Sequence, residues 1–356
     1  MTRKLLYRPF FIRLFHWEYW PFHVVYGPLY LYWLWLCLKA RSFFFFNASN
    51  PSITNGGFLM ESKKQIYDLL PWQYYPNTMF VKAQTPLKEI LVEIRRKNFA
   101  FPLIAKPDIG MKGLSVKKLC SKDELFEYAI QSRVDFLVQE FISFDNEVGI
   151  FYHRFPNEER GHISGIVRKE FLTVVGDGES TMTELLRKDK RFILQLSVLK
   201  ETYGDELKRI LQKGEEKILV PYGNHARGAK FIDASNLIDE ELTNTIDSIC
   251  RRVKGFYFGR LDIRFNSWDE LRSGKNFSII EINGAGSEPT HMYDSNHSIF
   301  FAWKEIIRHW NILWKVSSIN HRRYKLPYLT TSSGLEMLRQ NKCYVKMISE
   351  NVRQRA

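Results

Sequence analysis

Gly259-Arg-Leu-Asp-Ile-Arg-Phe265, a polar turn, and Phe277-Ser-Ile-Ile-Glu-Ile-Asn283 decide how this chain is read. Together they predict a β-hairpin. In the first run Leu261, Ile263 and Phe265 alternate with Arg260, Asp262 and Arg264; in the second Ile280 and Ile282 alternate with Glu281 and Asn283. Successive strand side chains point to opposite faces, so each strand has one apolar and one charged face. Pairing the strands gathers Asp262, Glu281 and Asn283 on one side, with Arg260 and Arg264 alongside. Two carboxylates and an amide are hard oxygen donors of the kind that bind Mg²⁺. A solvated face on an edge hairpin shows the same alternation, and the hairpin alone leaves both readings open.

Upstream lies Phe101-Pro-Leu-Ile-Ala-Lys-Pro-Asp-Ile-Gly-Met-Lys-Gly-Leu-Ser-Val116. It predicts a buried strand ending in Lys106, a loop with Gly110, Gly113 and Ser115, and a second short strand. Glycines let backbone N–H groups approach a phosphate, and a lysine adds a point charge. No GK[ST] is present and the loop re-enters a strand, so this is not the strand–loop–helix of P-loop proteins. Many such loops are plain hairpin turns. Ser121 and Glu124 then predict a capped helix, and Asp135-Phe-Leu-Val-Gln-Glu-Phe-Ile142 a buried strand that turns polar at its end, with Glu147 beyond. Nearer the N-terminus, residues 61–70 read as a helix stopping at Pro71, and Leu87 to Lys97 as an amphipathic helix with Leu87, Ile90, Leu91 and Ile94 on one stripe.

The chain of 356 residues allows two domains or one large one with appendages. Its net charge of +13 calls for an anionic partner: a nucleotide, nucleic acid or an anionic membrane surface. Cys37, Cys120, Cys250 and Cys343 form no CxxC pair and no zinc spacing, which suits reduced thiols in a cytoplasmic protein. Between Glu18 and Lys39 no residue is charged, and Trp, Tyr, Phe and Leu dominate. Pro21, Gly27, Pro28 and the density of Trp and Tyr argue against a bilayer span. An aromatic layer packed on the main domain, an interfacial helix on anionic lipid and, behind these two, a true span remain open. No small-residue cleavage site follows, so a signal peptide is not expected.

Lys106 with its glycine loop, Gln139-Glu-Phe-Ile142 with Glu147, and Asp262/Glu281/Asn283 occur in an order and spacing that resemble the ATP-grasp superfamily. The likeness is to its carboxylate–amine ligases, such as D-alanine–D-alanine ligase and cyanophycin synthetase, and covers Gly57 to Asp294. It implies an α+β fold of two lobes sandwiching ATP. It further implies that Lys63 (or Lys64) and Lys106 contact phosphates, and that the loop from Asp108 to Ser115, with Gly110 and Gly113, closes over them. Gln139, Glu140 and Ile142 would form the adenine-reading hinge, and Glu147 would hold the ribose. Arg260 would touch the transferring phosphate, and Asp262, Glu281 and Asn283 would bind two Mg²⁺, with Mn²⁺ as a substitute. The implied reaction phosphorylates a carboxylate to an acyl phosphate, which an amine then displaces, so no protein nucleophile is needed. The cofactors are ATP and Mg²⁺; the substrates are small-molecule or cell-envelope carboxylates and amines, and nucleic acid is disfavoured.

The same likeness extends through Val175-Gly-Asp-Gly-Glu-Ser-Thr181 and through residues 218–232. Arg168 leads the first of these segments and faces either the site or solvent. Asn224, Arg227 and Lys230 are substrate candidates in the second, where His225 reads as a surface loop histidine. Lys200 to Gln212 reads as a charged helix in a lid-like insertion. After Asn283 the loop departs from the D-alanine ligase pattern; Ser287, Glu288 and His291 are the candidates there, Glu288 suiting an amino group. Only some sixty residues precede Lys63, and they lack the βα pattern that the ligases carry in that place. A large or membrane-linked acceptor therefore becomes an expectation. Tyr293 to Trp314 predicts a helix, and Arg322, Arg323, Lys325, Arg339, Lys342, Lys346, Arg353 and Arg355 make the end basic, as a solvated face or a membrane contact. The expected organisation is an aromatic segment over 1–56, a nucleotide-binding domain over 57–310 and a basic tail over 311–356. The expected location is the cytoplasm, with peripheral attachment at the inner membrane face as an open alternative. An alcohol phosphotransferase and a non-catalytic nucleotide-binding adaptor are the alternative functions.

Overall fold

The computed structural model describes residues 8–110, 113–220, 223, 225 and 228–353, with side chains to 349. Helices α1 (Pro9–Phe15), α2 (Phe22–Tyr26) and α3 (Tyr30–Ala40) open the chain, followed by α4 (Lys63–Leu69). Ser62 caps α4 by accepting from the Gln65 amide. The first lobe then runs β1 (Thr78–Val81), α5 (Leu87–Arg96), β2 (Leu103–Pro107), β3 (Lys117–Leu119), α6 (Lys122–Gln131) and β4 (Phe136–Glu140). Its sheet has the order β1-β4-β2-β3 and every pairing is antiparallel. The apolar stripe of α5 buries Ile90 and Ile94, and α6 buries Leu125 and Tyr128, against Leu103, Ala105, Phe136 and Val138.

The second lobe starts with β5 (Asn146–His153) and β6 (His162–Glu170). An excursion through β7 (Leu172–Val175), α7 (Met182–Lys188), α8 (Lys190–Ile193), α9 (Leu196–Tyr203) and β8 (Glu216–Val220) encloses its own small core around Met182, Leu186 and Leu219. The helix expected over Lys200 to Gln212 is instead α9, ending at Gly204, and a 3₁₀ turn over Gly204–Lys208. Then come β9 (Lys230–Asp233), α10 (Glu240–Arg252), β10 (Phe258–Phe265), α11 (Trp268–Arg272) and β11 (Phe277–Asn283). The five-stranded antiparallel sheet has the order β11-β10-β5-β6-β9. One face is covered by α4 and α10 through Ile66, Tyr67, Leu242, Ile246 and Ile249; the other looks into the space between the lobes. The expected α+β architecture of two lobes about a cleft is therefore present.

The hairpin forms with Arg260 opposite Asn283 and Asp262 opposite Glu281. Immediately after that pair the register slips, and Ile263 pairs with Ile279. This bulge puts Ile279, fully buried, in the core position expected of Ile280, which is half-buried and lines the cavity instead. An extra residue in one strand re-aims the side chains beyond it.

Helices α12 (Ile299–Tyr324) and α13 (Thr331–Arg353) close the chain. The boundary expected at residue 310 falls inside α12, which continues unbroken because Leu313, Val316 and Asn320 beyond it are buried. Leu313 and Val316 pack in one cluster with Leu36, Phe45 and Phe46 of the N-terminal segment. Polar contacts fasten the same segment: Trp303 Nε1 donates to Val25 O at 2.8 Å, Trp17 Nε1 to His297 O at 2.7 Å, and Tyr32 OH to Asn311 Oδ1 at 2.6 Å. Burying each large apolar side chain of this layer contributes about 1.5–3 kcal/mol. The outer side stays apolar, with Phe10, Phe15, Leu31 and Leu38 exposed. No helix among the described residues is long and apolar enough to cross a membrane.

Candidate active site

A continuous cavity of about 1180 Å³ lies between the lobes and extends beneath α2 and α3. The charged face of the second-lobe sheet forms its floor. Alternation brings Arg260, Asp262 and Arg264 of β10 to that face, with Glu147 of β5 and Lys169 of β6 beside them. Arg260 clasps Asp262 through two of its guanidinium nitrogens (Nε to Oδ1 3.0 Å, Nη2 to Oδ2 3.2 Å) and donates from the third, Nη1, to Glu288 O at 3.3 Å. Lys169 Nζ bridges Asp262 Oδ1 at 3.1 Å and Glu147 Oε1 at 3.0 Å. Arg264 Nε reaches Glu147 Oε2 at 3.0 Å. Burial alone would raise the Asp262 carboxyl; Arg260 and Lys169 outweigh it and hold it below the usual carboxylate range. Burial likewise opposes the charge on Lys169, and Asp262 and Glu147 overcome it. Gly149 makes this weave possible, since a Cβ there would lie 2.8 Å from Val167 Cγ1 and 3.0 Å from Asp262 Oδ1.

The first lobe and α4 supply the opposite wall. Lys106 Nζ, buried, donates to Tyr67 OH and Gln139 Oε1, both at 2.9 Å, and to Ile280 O at 3.0 Å. Burial draws its pKa down to about 8, against the pull of Glu281, Asp262 and Asp108. Lys63 Nζ donates to Gly110 O at 2.7 Å and lies 3.7 Å from Glu281 Oε1. Lys64 turns outward to Asp68, so Lys63 is the one of the pair that lines the cavity. Asp108 ties the glycine loop to the start of α4, its Oδ1 accepting from the Lys64 amide at 2.8 Å and its O from the Lys63 amide at 3.1 Å. Gly110, Gly113, Gln139, Glu140, Phe141 and Ile142 complete this wall.

The remaining sequence candidates divide. Ser287 and Glu288 line the cavity; Ser287 Oγ closes the turn after β11 on Asn283 O at 2.7 Å, and Glu288 Oε1 accepts from Tyr26 OH at 2.6 Å and Tyr293 OH at 3.2 Å. His291 does not: it is buried behind Gly165, its Nε2 3.0 Å from Glu305 Oε2. Ser115 does not line the cavity: its Oγ is buried, and its backbone O accepts from Tyr128 OH at 2.9 Å. Arg168 projects from the opposite face of β6, 44% exposed and paired with Glu170 at 2.9 Å. Its neighbour Lys169 occupies the cavity face in its place; with Ile166 and Val167 both apolar and 168–170 all charged, no alternation in the sequence chooses between the two. Lys230 pairs in register with Glu170 at the sheet edge and does not line the cavity. Asn224 and Arg227 lie outside the described residues. His225 is no surface histidine: it stacks between Tyr19 and Tyr293 at 5.3 and 5.6 Å, and burial lowers its pKa to about 4. Glu147, held by two cations, offers less to a hydroxyl than an open carboxylate does.

Among the described residues no group of three or more His, Cys, Asp and Glu side chains is placed to hold a metal ion. The hairpin nevertheless offers a smaller donor set. Asp262 and Glu281 are directly opposed, and Asn283 keeps a buried Nδ2 with no hydrogen-bond partner among the described residues, so its amide is free to turn over and present Oδ1. Two carboxylates and an amide fit Mg²⁺, which is held by one or two carboxylates together with phosphate oxygens and water.

No family model matches the sequence, and no curated protein is significantly similar to it. Similar solved structures include the VanG D-Ala:D-Ser ligase from Enterococcus faecalis, at 16% identity over 74% of this chain and 63% of that one, with a TM-score of 0.42. A D-alanine–D-alanine ligase from Bacillus anthracis is 13% identical over 74% and 68% of the two chains, with a TM-score of 0.40. A bifunctional glutathione synthetase from Pasteurella multocida is 15% identical over 71% and 38%, with a TM-score of 0.36.

Proposed function

We propose that this chain is an ATP-dependent ligase of ATP-grasp type that joins a carboxylate to an amine. One observation carries the reading: cations from both sides of a cleft, Lys63 and Lys106 against Arg260 and Lys169, converge beside the opposed pair Asp262 and Glu281. Phosphoryl transfer needs little covalent help from a protein and much neutralisation and alignment. Lys63 and Lys106 would meet phosphate oxygens, with the glycine loop over them, and residues 139–142 would carry the base. Arg260, anchored on Asp262, would face the group being transferred. Asp262, Glu281 and Asn283 would hold Mg²⁺, which supplies Lewis-acid neutralisation of phosphate charge.

A carboxylate oxygen attacks the γ-phosphorus, the bond to the β-phosphate oxygen breaks, and ADP leaves. The amine then attacks the acyl phosphate carbon, phosphate leaves, and the amine nitrogen loses a proton. A screen of carboxylates and amines for stimulated release of ADP and inorganic phosphate by the purified chain tests this. ADP with a stable phosphoester and no free phosphate would point to alcohol phosphorylation and refute the ligase. The exposed apolar outer side of α1 and α3, flanked by Arg8, Arg13 and Lys39, supports peripheral attachment to an anionic membrane. Flotation with phosphatidylserine vesicles, lost on deletion of residues 1–41, is the expected outcome; equal flotation of the truncated chain would remove that assignment.

A further inference from the structure

The cavity is larger than a nucleotide site requires. Single-ligand pockets occupy roughly 300–1,000 Å³, and this one of about 1180 Å³ continues past Arg260 into a chamber roofed by the N-terminal layer. The chamber walls are aromatic and aliphatic: Tyr30, Trp33, Leu34, Phe44, Phe46 and Trp310. These rings brace one another, Trp33 lying 5.0 Å from Trp310 and 5.1 Å from Phe45. Interiors are normally packed with few voids larger than a water molecule, and unfilled apolar walls forgo their dispersion contacts. Tyr30 and Leu34 are each 46% exposed, so the chamber opens outward through an apolar rim.

One carboxylate stands where the chamber meets the charged floor. Glu288 is held on one oxygen by Tyr26 OH and Tyr293 OH, while Arg260 binds its backbone oxygen and lies close enough to feel the carboxylate's charge without hydrogen-bonding to it. An apolar channel ending in an oriented carboxylate recognises a cationic head on a hydrophobic tail.

We propose that the amine substrate is an amphiphile, its amino group at Glu288 and its apolar tail in the chamber under α2 and α3. This rests on the ligase reading for its chemistry but not for its binding. The N-terminal layer thereby supplies a wall of the substrate site, and Tyr26 positions the residue that selects the amine.

Monodansylcadaverine, a fluorescent primary amine with an apolar aromatic tail, probes the chamber in the full-length chain. The expected result is saturable, blue-shifted fluorescence, displaced by monomeric dodecylamine and not by ethylamine at the same concentration. Leu34→Asn and Glu288→Gln each weaken probe binding by about tenfold or more, the order expected for losing a buried leucine contact or a charge-assisted hydrogen bond. Leu31→Asn, at a position 79% exposed and outside the cavity, leaves binding unchanged and controls for adhesion to the outer apolar side. Displacement by ethylamine as readily as by dodecylamine, or equal losses in the Leu31 and Leu34 variants, overturns the proposal. Probe binding as expected with no ATP turnover for any carboxylate would sink the ligase reading and keep the chamber. Turnover with small amines and no probe binding would do the reverse.

Discussion

Lys106 allows the nucleotide assignment to be tested by pH. Its ammonium is buried, and burial lowers its pKa from 10.5 to about 8. The folded chain therefore binds fewer protons than the unfolded chain between about pH 8 and 10.5. The burial penalty, about 3 kcal/mol for a shift of this size, is fully present below pH 8 and is relieved as pH rises through that window. A phosphate requires the charged form. ATP should thus bind with uptake of about half a proton at pH 8, and about tenfold more weakly at pH 9 than at pH 7, some 1.4 kcal/mol. Working above pH 7 keeps the phosphate's own ionisation, near pKa ~6, out of the window. Calorimetric titration with ATP in two buffers of different ionisation enthalpy reads the proton count directly. Lys106→Met should bind more weakly at pH 7 and lose the slope between pH 7 and 9. A wild-type affinity that does not change between pH 7 and 9, or a slope that survives in the Met variant, would refute Lys106 as the phosphate cation.

Glu281→Ala should reduce ATP turnover by about 10²-fold while moving the melting temperature little, because its side chain is 32% exposed; near-normal turnover would remove Glu281 from the site. Asp262→Ala strands Arg260 in a buried setting, leaves Lys169 only Glu147, and should cost about 3–5 kcal/mol by urea unfolding; a loss under 1 kcal/mol would mean that the network does not hold the floor together. Gly149→Ala presses a methyl against Val167 Cγ1 at 2.8 Å and should cost about 1–3 kcal/mol, with turnover falling as Arg260 and Asp262 shift; an unchanged variant would show that the weave tolerates a Cβ. Burial lowers the pKa of His309 to about 3 and of His153 to about 4, against an ordinary 6.5. Their stability contribution is present above pH 6.5 and fades as pH falls toward 4, by about 1.4 kcal/mol per histidine per pH unit, so a melting temperature constant from pH 7 to 5 would contradict their buried, neutral state.

The alternation of Arg260, Asp262 and Arg264, and of Glu281 and Asn283, was legible because strand periodicity is a local property of the backbone. The same holds for the Ser121 cap, the apolar stripe of α5 and the Lys106 strand with its glycine loop. Positions that depend on contacts between distant segments were not legible. The bulge that exchanges Ile279 for Ile280 arises from pairing across the hairpin, which either strand alone leaves open. Lys169 rather than Arg168 meets Asp262 because β6 lies beside β5 with its cavity face set by that register, whereas both residues look alike in a run of charged positions. His291 and His225 changed places between expectation and structure, since burial behind Gly165 or between Tyr19 and Tyr293 is decided by elements far away in the chain. The N-terminal stretch announced itself by composition as something that must bury aromatic surface. Only the packing of α2, α3 and α12 made it the roof of a cavity, because hydrophobic burial is non-directional and a sequence states the need to bury a face without stating against what.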